Sequence, residues 1–307
     1  MHSLRHKVGR MSNAHVRYLV ESLIDEDGLR ETGVPGVKLF RASTPIPCAP
    51  AVYEPCVIAI VSGSKEAVLD GERIVYDNSR YLCCPMSMPV QAGTPAVSPQ
   101  DPLLGVYVSL DHRGMTELAM EMEAAGDRLP MAKGKQPEKG VRFAHWDPAF
   151  SDALSRLLEL GASQAETTVL GAARLRELHY AILKGEAGIF ARHAFAAGNA
   201  IARSIAHVSS NLDAPISIDD LASRAGMSRA VFHRKFKQAT AMSPIQFAKS
   251  MRLNSAAMKI AAGMTVNEAA IGVGYQSASQ FSREFKRLYG QSPRQWSDAQ
   301  HPSVRMA

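Results

Sequence analysis

Cysteine is scarce: four residues in a chain of 307 (Cys48, Cys56, Cys83, Cys84) exclude a disulfide-dense secreted fold. No stretch approaches ~18 uninterrupted apolar residues, so no transmembrane helix is expected. The N-terminus, MHSLRHKVGRMSN, is basic but has no apolar core, so it does not read as a signal peptide, and a cytoplasmic setting follows. Met1 and Met11 are both possible starts. Residues 37–110 hold no HxH, and His112 and His145 stand alone, so a metal-dependent oxygenase is not expected. No GxSxG, P-loop or GxGxxG sits in a suitable strand–helix setting. These absences argue against an enzyme, a catalytic residue, a cofactor or a metal.

What is present is ordinary in bulk and uneven in distribution. Apolar residues make up 46 % and charged residues 21 %, as in a soluble globular protein, and the length suggests roughly two domains. Residues 1–197 carry a net charge of −2, whereas residues 198–307 carry +8. All the excess positive charge lies in the last third, which points to a polyanion partner or, more plainly, to a solvated basic surface.

That third repeats itself. Phe232, Arg234, Phe236, Lys237, Ser243, Pro244, Gln246 and Phe247 recur 49 residues later as Phe281, Arg283, Phe285, Lys286, Ser292, Pro293, Gln295 and Trp296. Upstream the offset is 48, Ala222 and Gly226 matching Ala270 and Gly274. Two copies of one supersecondary unit are implied. Each reads as helix, glycine turn, helix. Ser217–Asp220 and Thr265–Glu268 fit capping boxes, and Gly226 and Gly274 end the first helices. Ser243-Pro244 and Ser292-Pro293 start further helices. In each second helix the paired phenylalanines, one turn apart, are buried.

The opposite face of each second helix is polar and cationic. Ala230, His233, Arg234 and Lys237 share one face, and Ser279, Ser282, Arg283 and Lys286 are their counterparts. Such side chains can read base edges and grip phosphates. The plain reading, a solvated bundle face, must explain the same pattern twice. Residues 244–262 have no internal proline or glycine and read as one connecting helix, long enough to place two reading helices in successive major-groove turns.

The segments LASRAGMSRAVFHRKFKQATAMSPIQF and AAIGVGYQSASQFSREFKRLYGQSP resemble the DNA-binding domain of AraC/XylS-type transcription regulators. The resemblance implies seven helices with two helix-turn-helix units over residues 198–300. By position it implies base reading by Ala230, His233, Arg234, Ser279, Gln280 and Arg283. Phosphate contacts fall to Ser228, Lys237, Ser277 and Lys286. Ala230 is smaller than the side chain often found there, and its methyl can meet a thymine methyl.

Residues 37–110 look β-rich: an apolar run at Val57–Val61, a hairpin over 66–76 with Asp70-Gly71 as its turn, and strands at 81–84 and 103–110. The stretch 131–140 reads as a polar loop. Helices are expected at 148–160 and 166–183, their leucines covering the sheet or forming a dimer contact. His179, His193 and His207 fall in helices as packing or surface residues. PGVKLFRAS, Tyr53-Glu54-Pro55 with VIAIVSGSKEAVLDG, and RYLCCPMSMPV resemble the N-terminal domain of one AraC-type subgroup. That implies a cupin-like β-barrel with flanking helices over residues 15–185, which senses a small-molecule effector and dimerises.

The fold class is therefore α+β, an N-terminal cupin-like β-barrel followed by an all-α domain. The function expected is that of a cytoplasmic transcription regulator acting as a homodimer on double-stranded promoter DNA and with RNA polymerase, without a membrane. The cysteines leave an alternative. The spacing C-x7-C-x26-CC lacks zinc-type pairs and departs from that of the methyl-acceptor DNA-repair proteins. A thiol sensor at Cys48, Cys56, Cys83 and Cys84 is weighed against buried cysteine as a small hydrophobe. The alternative function is thus a zinc- or thiol-chemistry protein, methyl acceptor or redox sensor, fused to a DNA-binding domain.

Overall fold

A computed structural model describes residues 2–69, 71–127, 140–196 and 198–300, with side chains from Asn13 onward. The predicted loop at 131–139 and Asp70 of the hairpin turn lie outside the described residues. By its internal contacts the chain divides into two units. One holds residues 1–48, 54–86 and 92–199; the other holds 200–307 with the short segments 49–53 and 87–91.

Among the described residues ten strands form in the N-terminal part: β1 (Gly28–Glu31), β2 (Val37–Ala42), β3 (Ile46–Tyr53), β4 (Cys56–Ser62), β5 (Ser64–Leu69), β6 (Glu72–Asp77), β7 (Arg80–Cys84), β8 (Met88–Thr94), β9 (Leu103–Ser109) and β10 (Arg142–His145). They make a six-stranded sheet in the order β1-β2-β9-β4-β7-β10 and a four-stranded sheet in the order β3-β8-β5-β6. The expected barrel is therefore corrected: among the described residues the two sheets are not closed on one another. The ends of the larger sheet explain why. β1 and β10 have four residues each, and β1 is exposed along its whole length, so neither offers a long edge for pairing. The predicted hairpin is present as β5–β6, with Leu69 opposite Glu72.

β4 is buried at every residue, as a continuous apolar run in mid-sheet should be. Alternation sends Val57, Ala59 and Val61 to one face, with Leu39, Val106, Val108 and Tyr81. Helices α1 (His2–Leu23), α3 (Pro148–Glu159) and α4 (Gln164–Lys184) cover that face through Val16, Val20, Phe150, Leu154, Leu157, Leu178 and Ile182. The predicted leucine faces of α3 and α4 thus go to the sheet. Two further helices, α2 (His112–Ala124) and α5 (Gly188–Phe195), complete this region. Their short apolar patterns are interrupted by charge and left no sequence signal.

Seven helices follow among the described residues: α6 (Ala200–Ser210), α7 (Ile218–Arg224), α8 (Arg229–Thr240), α9 (Pro244–Ala261), α10 (Val266–Ile271), α11 (Ala278–Tyr289) and α12 (Pro293–Gln300). α7–α8 and α10–α11 are the two helix-turn-helix copies, and α9 is the connector. Its 18 residues span about 27 Å. Gly226 (φ +64°) and Gly274 (φ +85°) take the left-handed conformation at the turns. At Gly274 a β-carbon would also lie 2.7 Å from the Asp213 carbonyl oxygen, so only glycine fits.

Candidate nucleic-acid interface

The second helix of each copy, α8 and α11, is anchored by its aromatic face. Phe232 and Phe236 are fully buried, their ring centroids 5.6 Å apart, and Phe236 meets Phe247 of α9 edge-on at 5.4 Å. Phe281 and Phe285 are also fully buried, 5.4 Å apart, with Trp296 of α12 at 6.4 Å from Phe285. Trp296 donates its indole N–H to the Ala257 carbonyl at 3.2 Å. Anchoring one side of a helix fixes which residues face away from it.

The predicted reading residues do face away. Ala230, His233 and Arg234 of α8 are exposed, as are Ser279, Gln280 and Arg283 of α11. So are Lys237 and Lys286, one turn further along each helix. None of Arg234, Lys237, Arg283 and Lys286 forms an ion pair among the described residues. Other cations of the same domain are engaged. Arg229 pairs with Asp219 at 3.2 Å and Lys249 with Glu284 at 3.1 Å. Arg252 donates to the Leu212 and Ala214 carbonyls at 2.7 and 2.6 Å, and Lys259 to that of Gly272 at 3.1 Å. The basic charge thus separates into a structural set and a set open to an anion.

Ser228 and Ser277 have a first duty as N-caps. Ser228 Oγ accepts from the Val231 N–H at 3.4 Å, and Ser277 Oγ from the Gln280 N–H at 3.3 Å. Their hydroxyl protons remain available to a phosphate. Each cap sits at a positive helix end, which favours an anion there. The other predicted caps divide. Thr265 and Glu268 form a reciprocal box, as do Ser243 and Gln246. Ser217 accepts from Asp220 N–H, but the Asp220 side chain does not reach back, being one methylene shorter than glutamate. Sequence reasoning missed Glu284, whose role becomes visible only in the folded domain.

The cysteine residues do not assemble into a reactive centre. Cys83 packs into the helix-covered core, while Cys56 and Cys84 are cross-strand neighbours on the opposite face of their sheet. All three are fully buried. Burial pushes the Cys83 thiol up to about 12 and also raises those of Cys56 and Cys84 well above the ordinary thiol value. Cys48 lies on β3 and is partly buried, its thiol also raised by burial. Thiols held protonated are poor nucleophiles and poor zinc ligands, so the geometry does not favour the sensor reading. Among the described residues no group of three or more His, Cys, Asp or Glu is placed to hold a metal ion. His179 is buried and its Nε2 lies 3.1 Å from the Ser109 carbonyl, as a packing residue.

A family model described as the AraC-type transcriptional regulator N-terminus matches residues 33–190, half of the chain. The chain belongs to the AraC-type transcriptional regulators. A helix-turn-helix domain model matches residues 221–299 of this regulator. The HTH-type transcriptional regulator MtrA of Neisseria gonorrhoeae is 38 % identical over 81 residues, which is 26 % of this chain and 27 % of MtrA. The regulatory protein SoxS of Escherichia coli (strain K12) is 30 % identical over 98 residues, 32 % of this chain and 89 % of SoxS. The structure of unsaturated fatty acid bound ToxT from Vibrio cholerae superimposes with a TM-score of 0.55 at 14 % identity, covering 90 % of this chain and 97 % of ToxT. That likeness is one of fold. No helix among the described residues is long and apolar enough to cross a membrane.

Proposed function

We propose that this regulator binds promoter DNA through two major-groove insertions, under control of an effector held by its N-terminal domain. The observation that carries the reading is the repetition: two anchored helices present exposed cations without acidic partners at the same positions. Base reading is assigned to Ala230, His233, Arg234, Ser279, Gln280 and Arg283, and phosphate binding to Ser228, Lys237, Ser277 and Lys286. Sensing and dimerisation are assigned to residues 15–185 and DNA binding to 198–300. We place the protein in the cytoplasm, acting on transcription with RNA polymerase and without catalysis of its own. A homodimer is supported by the outer face of α4, where Val169 is 77 % and Tyr180 45 % exposed, with Ala172 and Ala173 between them.

The effector reading rests on the face of the larger sheet away from the helices, where Lys65 of β5 meets Phe40 of β2. The Lys65 ammonium lies 5.5 Å from the Phe40 ring centre, and burial pushes its pKa down. A cation beside an aromatic ring matches a carboxylate on an apolar body, the chemistry of the fatty acid in the ToxT structure.

Genome-wide capture of DNA by the purified chain at ~150 mM salt tests the reading. A motif of two blocks about one helical turn apart is expected. Arg234→Ala and Arg283→Ala should each lose about 1–3 kcal/mol of preference at one base step. Lys237→Ala and Lys286→Ala should weaken all sites alike and reduce the salt slope by about 1. Addition of an unsaturated fatty acid should change occupancy in the wild type but not in Lys65→Met. Uniform binding to all DNA would overturn the promoter reading, and indifference to the acid would overturn the effector.

A further inference from the structure

The second reading helix carries an acid among its bases. Glu284 lies one turn beyond Gln280, a spacing that brings the two side chains together on α11. Its side chain is 22 % exposed. Glu284 Oε2 accepts from the Tyr275 hydroxyl at 2.8 Å and faces Lys249 Nζ at 3.1 Å. Oε1 accepts from Gln280 Nε2 at 3.4 Å. One carboxylate therefore joins the connector α9, the turn before α11, and α11 itself.

The charge state of Glu284 decides what Gln280 can do. Partial burial pushes the carboxyl up, but the hydrogen bonds from Tyr275, Lys249 and Gln280 and the Lys249 charge outweigh it. The group is held below the ordinary carboxylate range and is ionised at neutral pH. An ionised carboxylate only accepts, so the amide atom turned toward it is nitrogen. The Gln280 carbonyl oxygen then points away from Glu284. An unrestrained glutamine turns either end of its amide to a base, and with both it grips adenine. A restrained one offers its acceptor first. In the major groove the donors are adenine N6 and cytosine N4.

We propose that Glu284 is a positioning residue that makes Gln280 an acceptor, selecting adenine or cytosine over guanine or thymine on the strand it faces. The proposal rests on the reading that α11 faces base edges. It belongs to the second copy alone. At the corresponding positions of the first copy stand Met227, Val231 and Lys235, which supply no phenol, no amide and no acid.

Selection of bound sites from a random duplex pool by the full-length chain tests this. Gln280→Ala first identifies the base step that residue reads. At that step the wild type should favour adenine or cytosine by about tenfold, and Glu284→Gln should reduce the ratio to within about twofold. Other steps should keep their preferences. Tyr275→Phe, which leaves the Gln280–Glu284 contact, should keep the wild-type motif. If Gln280→Ala changes no step, the reading of α11 fails and the proposal with it. If Gln280→Ala defines a step and Glu284→Gln matches the wild type there, the proposal alone fails. Equal loss at every step in Glu284→Gln, with a lowered melting temperature, would make Glu284 a brace without a role in specificity and would also overturn it.

Discussion

The two helix-turn-helix copies are alike inside and different outside. Each buries two phenylalanines one turn apart and closes on a third aromatic, Phe247 or Trp296. Their polar braces diverge. The second copy has a reciprocal capping box and the Glu284 junction, whereas the first has a one-way cap and the Arg229–Asp219 surface pair. Their helix ends differ too: α8 ends on Ala241 at φ +62°, α11 on Gly290 at φ +76°. Buried volume is hard to change without opening a cavity, so the duplicated core persists. A polar brace needs several matched partners at once, and losing any one dissolves it at modest cost. The copies therefore keep one architecture with two levels of restraint on the second helix.

The comparison can be broken most strongly in the cores. Phe232→Ala and Phe281→Ala should each cost about 3–5 kcal/mol in denaturant unfolding of the full chain. Phe281 should fall at the upper end, because it also loses the edge contact with Tyr275 at 5.2 Å. A cost below about 1 kcal/mol at either site would mean that the copy does not rely on its aromatic pair.

The helix ends offer a smaller test, with opposite signs. Gly290→Ala should destabilise by about 1 kcal/mol, because an alanine is disfavoured in the left-handed conformation. Ala241→Gly should stabilise by about 0.5 kcal/mol, the relief of that strain being partly offset by a more flexible unfolded chain. Equal signs in thermal melts would refute the conformational explanation.

The smallest difference lies in acid sensitivity. The Glu284 carboxyl is below its ordinary value of 4.5 in the folded chain. Its contribution is therefore complete above about pH 4.5 and is lost as pH falls through the lower folded value. Lys235 occupies that position in the first copy, so no carboxylate stands there. The exchange protection of α11 amides should fall below pH 4.5 more than that of α8, and Glu284→Gln should remove the excess.

The unevenness of the copies also explains how far the sequence could be read. The phenylalanine spacing, Gly226, Gly274 and the Ser-Pro helix starts carry local information, and each is found where it was expected. Hence the exposed faces of α8 and α11 were legible. In the N-terminal region β4, the β5–β6 hairpin, α3 and α4 announced themselves by long or alternating apolar patterns. The four-residue strand β10 did not, because so short a segment becomes a strand only through pairing with β7. Glu284 was hidden for a related reason: within SREFKR it is indistinguishable from a solvated helix charge.

The order of residues alone sets the duplicated helix-turn-helix, its basic balance and the side chains that α8 and α11 present. Helical period, capping and left-handed turns are settled within a few residues of chain. Tertiary structure alone decided that the strands form two open sheets, since closure depends on which distant edges meet. It also decided that three cysteines are buried and that Lys249, Tyr275 and Gln280 converge on Glu284. A carboxylate's neighbours, and with them its charge and its role, are set by folding elements that the chain order keeps apart.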